Sequence, residues 1–120
     1  MGKRILIIDD DEDILTILNF IFQEDGFDTI VFNGGITVEQ IKNLNPDLII
    51  LDIRIAGYEK SGPEICVEIK KQQDLTNIPV LLLSAELNIA SLADKCGADG
   101  YIPKPFNIDK LVSRVKEFIF

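Results

Sequence analysis

The sequence predicts an α/β domain built on a doubly wound, five-stranded parallel sheet with helices on both faces. Three observations point there. Short apolar runs are continuous rather than alternating, as in strands buried on both sides. Amphipathic segments with the 3.6-residue period separate them. Polar caps, glycine or proline stand at the junctions. Ile5 to Ile8 reads as the first strand, bounded by Asp9. Asp13 to Gln23 reads as helix, with Ile14, Leu18 and Ile21 facing inward and Gly26 at its C-terminal end. Thr29 to Phe32 is a weaker second strand, Asn33-Gly34-Gly35 a turn, and Ile36 to Leu44 a short helix broken by Asn45-Pro46. Leu48 to Leu51 is the clearest buried strand and ends at Asp52. A loop with Gly57 and Gly62 follows. Pro63 suits a helix first turn, where its missing N–H would be unpaired anyway. That helix runs to about Lys71, with Ile65 and Ile69 inward. Val80 to Leu83 is a strand ending at Ser84, and Asn88 to Cys96 a helix closed by Gly97. Tyr101-Ile102 is the last strand, ending at Lys104-Pro105. Asn107 caps a final helix whose apolar stripe is Ile108, Leu111, Val112, Val115, Phe118 and Ile119.

The bulk properties set the frame. The chain has 120 residues, 47% of them apolar. That is one domain's worth of core, so residues 1–120 are expected to form a single domain with no output domain attached. The formal net charge of −8 makes nucleic acid and anionic membranes poor partners. There is no histidine, and Cys66 and Cys96 fall in different predicted helices. This excludes zinc-binding and Cys/His catalytic patterns and leaves two packed thiols of a reducing compartment. The apolar run after Lys3-Arg4 is too short for a signal peptide, so a cytoplasmic location is expected.

In doubly wound folds, the functional site lies beyond the carboxyl ends of the strands. The first strand ends in Asp9-Asp10, the third in Asp52, the fourth in Ser84 and the fifth in Lys104. The flavodoxin-like strand order 2-1-3-4-5 makes these four strands neighbours. Three carboxylates, a hydroxyl and an ammonium then line one crevice. Taken singly, each is an ordinary loop residue. Clustered carboxylates repel one another, and a hard divalent cation resolves the repulsion. The set suits phosphoryl transfer: one carboxylate attacks, while the cation, the lysine and the hydroxyl bind the phosphoryl oxygens.

The segments Ile5-Leu-Ile-Ile-Asp-Asp10, Pro46-Asp-Leu-Ile-Ile-Leu-Asp52, Leu81-Leu-Leu-Ser-Ala85 and Gly97-Ala-Asp-Gly-Tyr-Ile-Pro-Lys-Pro-Phe106 resemble the receiver domains of bacterial response regulators. The resemblance spans the whole chain and points to the stand-alone type. It implies that Asp52 is phosphorylated. It implies that Asp9, Asp10, Asp52 and the backbone carbonyl of Arg54 bind magnesium, or another divalent cation such as manganese. Lys104, Ser84 and Ala85 would hold the phosphoryl group. Tyr101 would switch with Ser84, and Lys104-Pro105 would be a cis peptide. The implied partners are a histidine kinase or histidine phosphotransfer protein and a downstream protein target. The implied activity is conformational signalling with slow self-dephosphorylation, not turnover of an external substrate.

Some features depart from the family pattern. Ala56 replaces the usual proline, Gly57 to Gly62 is longer than the common form, and Ser84 to Gly97 is shorter. Two rival readings compete. Asp9-x-Asp11 also resembles the nucleophile motif of haloacid-dehalogenase-type phosphatases, but Asp13 stands where that motif has Thr or Val. A phosphorylation-independent interaction module would use the same fold, but such modules typically lose an acidic or lysine position that this chain keeps. Two further expectations concern this chain's own surface. Leu15, Ile17 and Phe22 cannot all share the inward face with Ile14, Leu18 and Ile21, so some should join Phe106 in docking a phosphodonor. Arg54 and Glu86, each two residues beyond a site residue, should reach over the crevice together and set the lifetime of the phosphoryl group.

Overall fold

A computed structural model describes residues 2–55 and 57–119. Its elements are β1 (Arg4–Ile8), α1 (Glu12–Glu24), β2 (Asp28–Phe32), α2 (Val38–Leu44), β3 (Leu48–Asp52), α3 (Gly62–Lys71), β4 (Val80–Ser84), α4 (Ile89–Cys96), β5 (Gly100–Pro103) and α5 (Ile108–Phe118). All strand pairings are parallel, in the order β2-β1-β3-β4-β5. This is the flavodoxin-like order expected from the sequence.

Alternate residues of each central strand feed two separate cores, as the period of two requires. Ile5, Ile7, Leu48, Ile50, Leu81 and Leu83 pack with α1 and α5 through Leu15, Leu18, Phe22, Leu111 and Val115. Leu6, Ile8, Ile49, Leu51, Val80 and Leu82 pack with α2, α3 and α4 through Ile41, Ile65, Ile69, Ile89 and Ala93. Both faces are covered, so β3 and β4 are buried along their full length. The edge strands are β2 and β5, and both include exposed positions.

Local chemistry fixes the helix starts. The Asp11 side chain accepts the backbone N–H groups of Asp13 and Ile14 at the start of α1. Thr37 with Gln40, and Ser61 with Glu64, form reciprocal capping boxes on α2 and α3. Helix α2 therefore begins at Val38 rather than Ile36; Ile36 lies ahead of the cap as a buried core residue.

Two stripes differ from expectation. In α1 the buried residues are Leu15, Leu18 and Phe22, whereas Ile14 and Ile21 are only partly covered and Ile17 and Phe20 are exposed. The helix is apolar around most of its circumference, so its own pattern does not define which side turns inward. In α5, Ile108 is exposed at the first helical position, and Leu111 and Val115 are buried.

The longer segment after β3 is tied down. Gly57 takes a left-handed backbone with φ 76°. The Tyr58 ring lies flat on Gly35, where a Cβ would come 2.1 Å from ring carbon Cγ. Lys60 pairs with Glu68 of α3 at 2.6 Å. Ala56, the departure from proline, lies outside the described residues.

Candidate functional site

The parallel register brings the site together. Ile8 pairs with Leu51, so Asp9 and Asp52 leave adjacent strands side by side. Asp52 pairs with Leu83, and Ser84 pairs with Pro103. Asp9 is fully buried. Its Oδ1 accepts the Asp11 N–H at 2.9 Å and its Oδ2 accepts Lys104 Nζ at 2.9 Å. The Lys104 N–H in turn donates to Ser84 O at 2.8 Å, anchoring the segment after β5 to the end of β4. Asp10 is exposed at the rim. Asp9, Asp10 and Asp52 each offer one carboxylate oxygen, and these atoms lie within 4.8 Å of one another.

This packing is electrostatically costly for Asp52. Burial, with the neighbouring Asp9 charge next in weight, raises its carboxyl to about 7; Lys104 opposes the shift without offsetting it. Only oxygen donors converge, they are acidic, and they open to solvent through Asp10. That donor set fits a hard divalent cation of the magnesium type and not a soft metal.

The remaining residues surround this cluster. Ser84 is buried, and its Oγ accepts the Glu86 N–H at 3.1 Å. Ala85 is exposed beside it. Arg54 Nε meets Glu86 Oε1 at 2.6 Å, joining the loops after β3 and β4. Tyr101 lies on β5 with 41% of its surface exposed. Its ring borders a shallow depression shared with Pro105, Phe106 and Lys110. The Lys104–Pro105 peptide is cis.

One supporting residue had no sequence cue beyond being a loop glycine. Gly62 opens α3 directly against the backbone of Asp52. A Cβ there would stand 1.9 Å from Asp52 O and 2.8 Å from its carbonyl carbon. The Gly62 N–H donates to Ile53 O at 2.8 Å. No side chain fits between α3 and the strand end that carries Asp52. The docking expectation also needs correction: Leu15 is 6% exposed and belongs to the core, so the exposed apolar members of α1 are Ile17 and Phe20.

A parallel sheet in this order, with an acidic cluster and a lysine at its carboxyl edge, is the CheY-like fold. The chain belongs to the response regulator receiver domain family, whose model matches residues 5–116. It is thus a receiver domain of two-component signalling. Similar structures cover nearly the whole chain. The receiver domain of a signal transduction histidine kinase from Syntrophus aciditrophicus is 33% identical over 98% of this chain and 90% of its own, with a TM-score of 0.84. A CheY-like receiver domain protein from Methanospirillum hungatei is 27% identical over 98% and 93%, with a TM-score of 0.83. The chemotaxis protein CheY4 of Vibrio cholerae shares the fold, with a TM-score of 0.87 at 21% identity over 99% and 100%. No helix among the described residues is long and apolar enough to cross a membrane.

Proposed function

We propose that Asp52 accepts a phosphoryl group from a phosphohistidine, carried by a histidine kinase or a histidine phosphotransfer protein, and that a bound magnesium ion is required. The observation that carries this reading is the convergence of Asp9, Asp10 and Asp52 carboxylates within 4.8 Å, with Lys104 held at 2.9 Å on Asp9. Magnesium would be held by Asp9, Asp10, Asp52 and the Arg54 carbonyl, and would neutralise phosphoryl oxygens when bound. An Asp52 carboxylate oxygen attacks phosphorus, the bond from phosphorus to the donor nitrogen breaks, and the donor leaves with that electron pair. Lys104, the Ser84 hydroxyl and the Ala85 N–H receive the phosphoryl oxygens. Ser84 and Tyr101 then couple occupancy to the β4–α4 and β5 surface that a downstream protein reads. Hydrolysis of the acyl phosphate by water returns the domain to its starting state.

Acetyl phosphate and magnesium should add one base-labile phosphoryl group, read by intact mass. Asp52→Asn and chelation should each abolish it. Equal labelling of Asp52→Asn would overturn the assignment.

A further inference from the structure

Outside the acidic pocket, the two cysteines form a second cluster of nucleophilic side chains. Cys66 sits in the middle of α3 and Cys96 is the last residue of α4. Both are free and buried, at 0% and 6% exposure, in the same apolar core. They are 30 residues apart in sequence, yet the Cys66 thiol donates to the Cys96 carbonyl at 3.5 Å, and the Cys96 thiol donates to the Ala93 carbonyl at 3.6 Å. The protein's complete set of thiols is therefore gathered at one helix–helix contact, and none of it serves the phosphoryl site.

We infer that Cys66 and Cys96 form an oxidisable dithiol, a second input to this domain in which a peroxide closes a disulfide between α3 and α4. Three features favour it. The Cys66 sulfur already lies 3.5 Å from the main chain of Cys96, so the two residues meet at one point of the contact between the helices, and a disulfide needs Cα atoms roughly 4.4–6.8 Å apart. A largely apolar groove lined by Pro63, Glu64, Val67, Leu92, Lys95 and Cys96 lies between the two helices, giving a small neutral oxidant an approach from the Cys96 side. The two thiols are also unequal: the hydrogen bond from Cys66 pulls the Cys96 thiol below the ordinary thiol range, and the same bond, with burial, pushes Cys66 up. Cys96 is then the nucleophile and Cys66 the resolving thiol.

The chemistry balances. The Cys96 thiolate attacks one peroxide oxygen, the O–O bond breaks, and hydroxide leaves and is protonated to water. The resulting sulfenic acid is attacked by Cys66 sulfur; the S–O bond breaks and the departing hydroxide takes the Cys66 proton as a second water. The two sulfurs lose two electrons in all and the peroxide gains them. The product ties α3, which packs on the end of β3, to α4, which follows the loop that runs from Ser84 at the end of β4 through Glu86. The staple would hold α4 in place and slow the response of that loop.

The full chain, reduced and then exposed to hydrogen peroxide, should lose two hydrogens by intact mass. Peptide mapping should join the Cys66 and Cys96 peptides, and dithiothreitol should reverse the change. The oxidised protein should melt several degrees higher and label from acetyl phosphate severalfold more slowly. Cys66→Ala, with Cys66→Val as the variant that refills the space, should both stop at a Cys96 oxygen adduct. A product that gains oxygen without losing two hydrogens, disulfide-linked dimers alone, or no reaction at peroxide levels that oxidise free cysteine would overturn the inference.

Discussion

Arg54 Nε and Glu86 Oε1 stand 2.6 Å apart, linking the loop after β3 to the loop after β4 at the carboxyl edge of the sheet. Arg54 is 81% exposed and Glu86 30%, so the pair is worth only about 0–1 kcal/mol to folding. Its expected effect is kinetic. Hydrolysis of a phosphoryl group on Asp52 needs water in line with the Asp52–phosphorus bond, and a barrier change of about 1.4 kcal/mol alters lifetime tenfold. Arg54→Ala should shorten the half-life of the phosphorylated form severalfold and leave magnesium binding intact, because the ligand proposed at that position is the backbone carbonyl, which the substitution keeps. Timing decay for wild type, both single mutants to Ala and the double mutant checks this. Unchanged decay in Arg54→Ala refutes the lid, and additive single effects show that the side chains act separately.

Asp52 is buried beside the buried Asp9 carboxylate at a cost, so removing its charge should stabilise the protein when no divalent cation is bound. Asp52→Asn in the presence of a chelator should gain about 1 kcal/mol, a rise in Tm of roughly 3–5 °C. Magnesium should raise the wild-type Tm, as a ligand of the folded state does, and raise the Asn variant's less. Thermal melts with and without magnesium decide the matter. A lower Tm for Asp52→Asn in chelator would mean that the carboxylates do not strain the fold.

Gly62 should behave as a site residue although it carries no chemistry. Its absent Cβ would stand 1.9 Å from Asp52 O, against backbone that cannot rotate aside. Gly62→Ala should cost about 1–3 kcal/mol in urea unfolding, the usual penalty of overpacking. It should also slow acetyl phosphate labelling by displacing Asp52. Wild-type values in both measurements would show that α3 shifts freely.

The exposed apolar residues of α1 test where the phosphodonor docks. Ile17→Asp and Phe20→Asp should slow transfer from a phosphohistidine protein and leave labelling by acetyl phosphate unchanged. Leu15→Asp should instead destabilise the fold, because Leu15 is buried in the core. Equal slowing with both donors would place the docking surface elsewhere.

The sequence by itself determined the layer structure and the membership of the acidic cluster. Four-residue apolar runs such as Leu48 to Leu51 and Val80 to Leu83 leave few alternatives to strands buried on both faces. The residue closing each run then falls at the carboxyl edge, which is why Asp9, Asp52, Ser84 and Lys104 are legible as a set in the sequence. The Arg54–Glu86 contact was also legible, because both side chains sit two residues beyond adjacent strand ends. The tertiary structure decided what periodicity leaves degenerate. Helix α1 carries apolar side chains on most of its surface, and only the competition for space against β1, β3 and α5 selects Leu15, Leu18 and Phe22 over Ile14 and Ile21. The same holds for Ile108, which starts α5 beyond the edge of the sheet and is left exposed. Gly62 against Asp52, Tyr58 against Gly35 and Cys66 against Cys96 join residues far apart in their local patterns. Such contacts depend on how closely two elements approach, a distance that packing sets and that no local sequence period encodes.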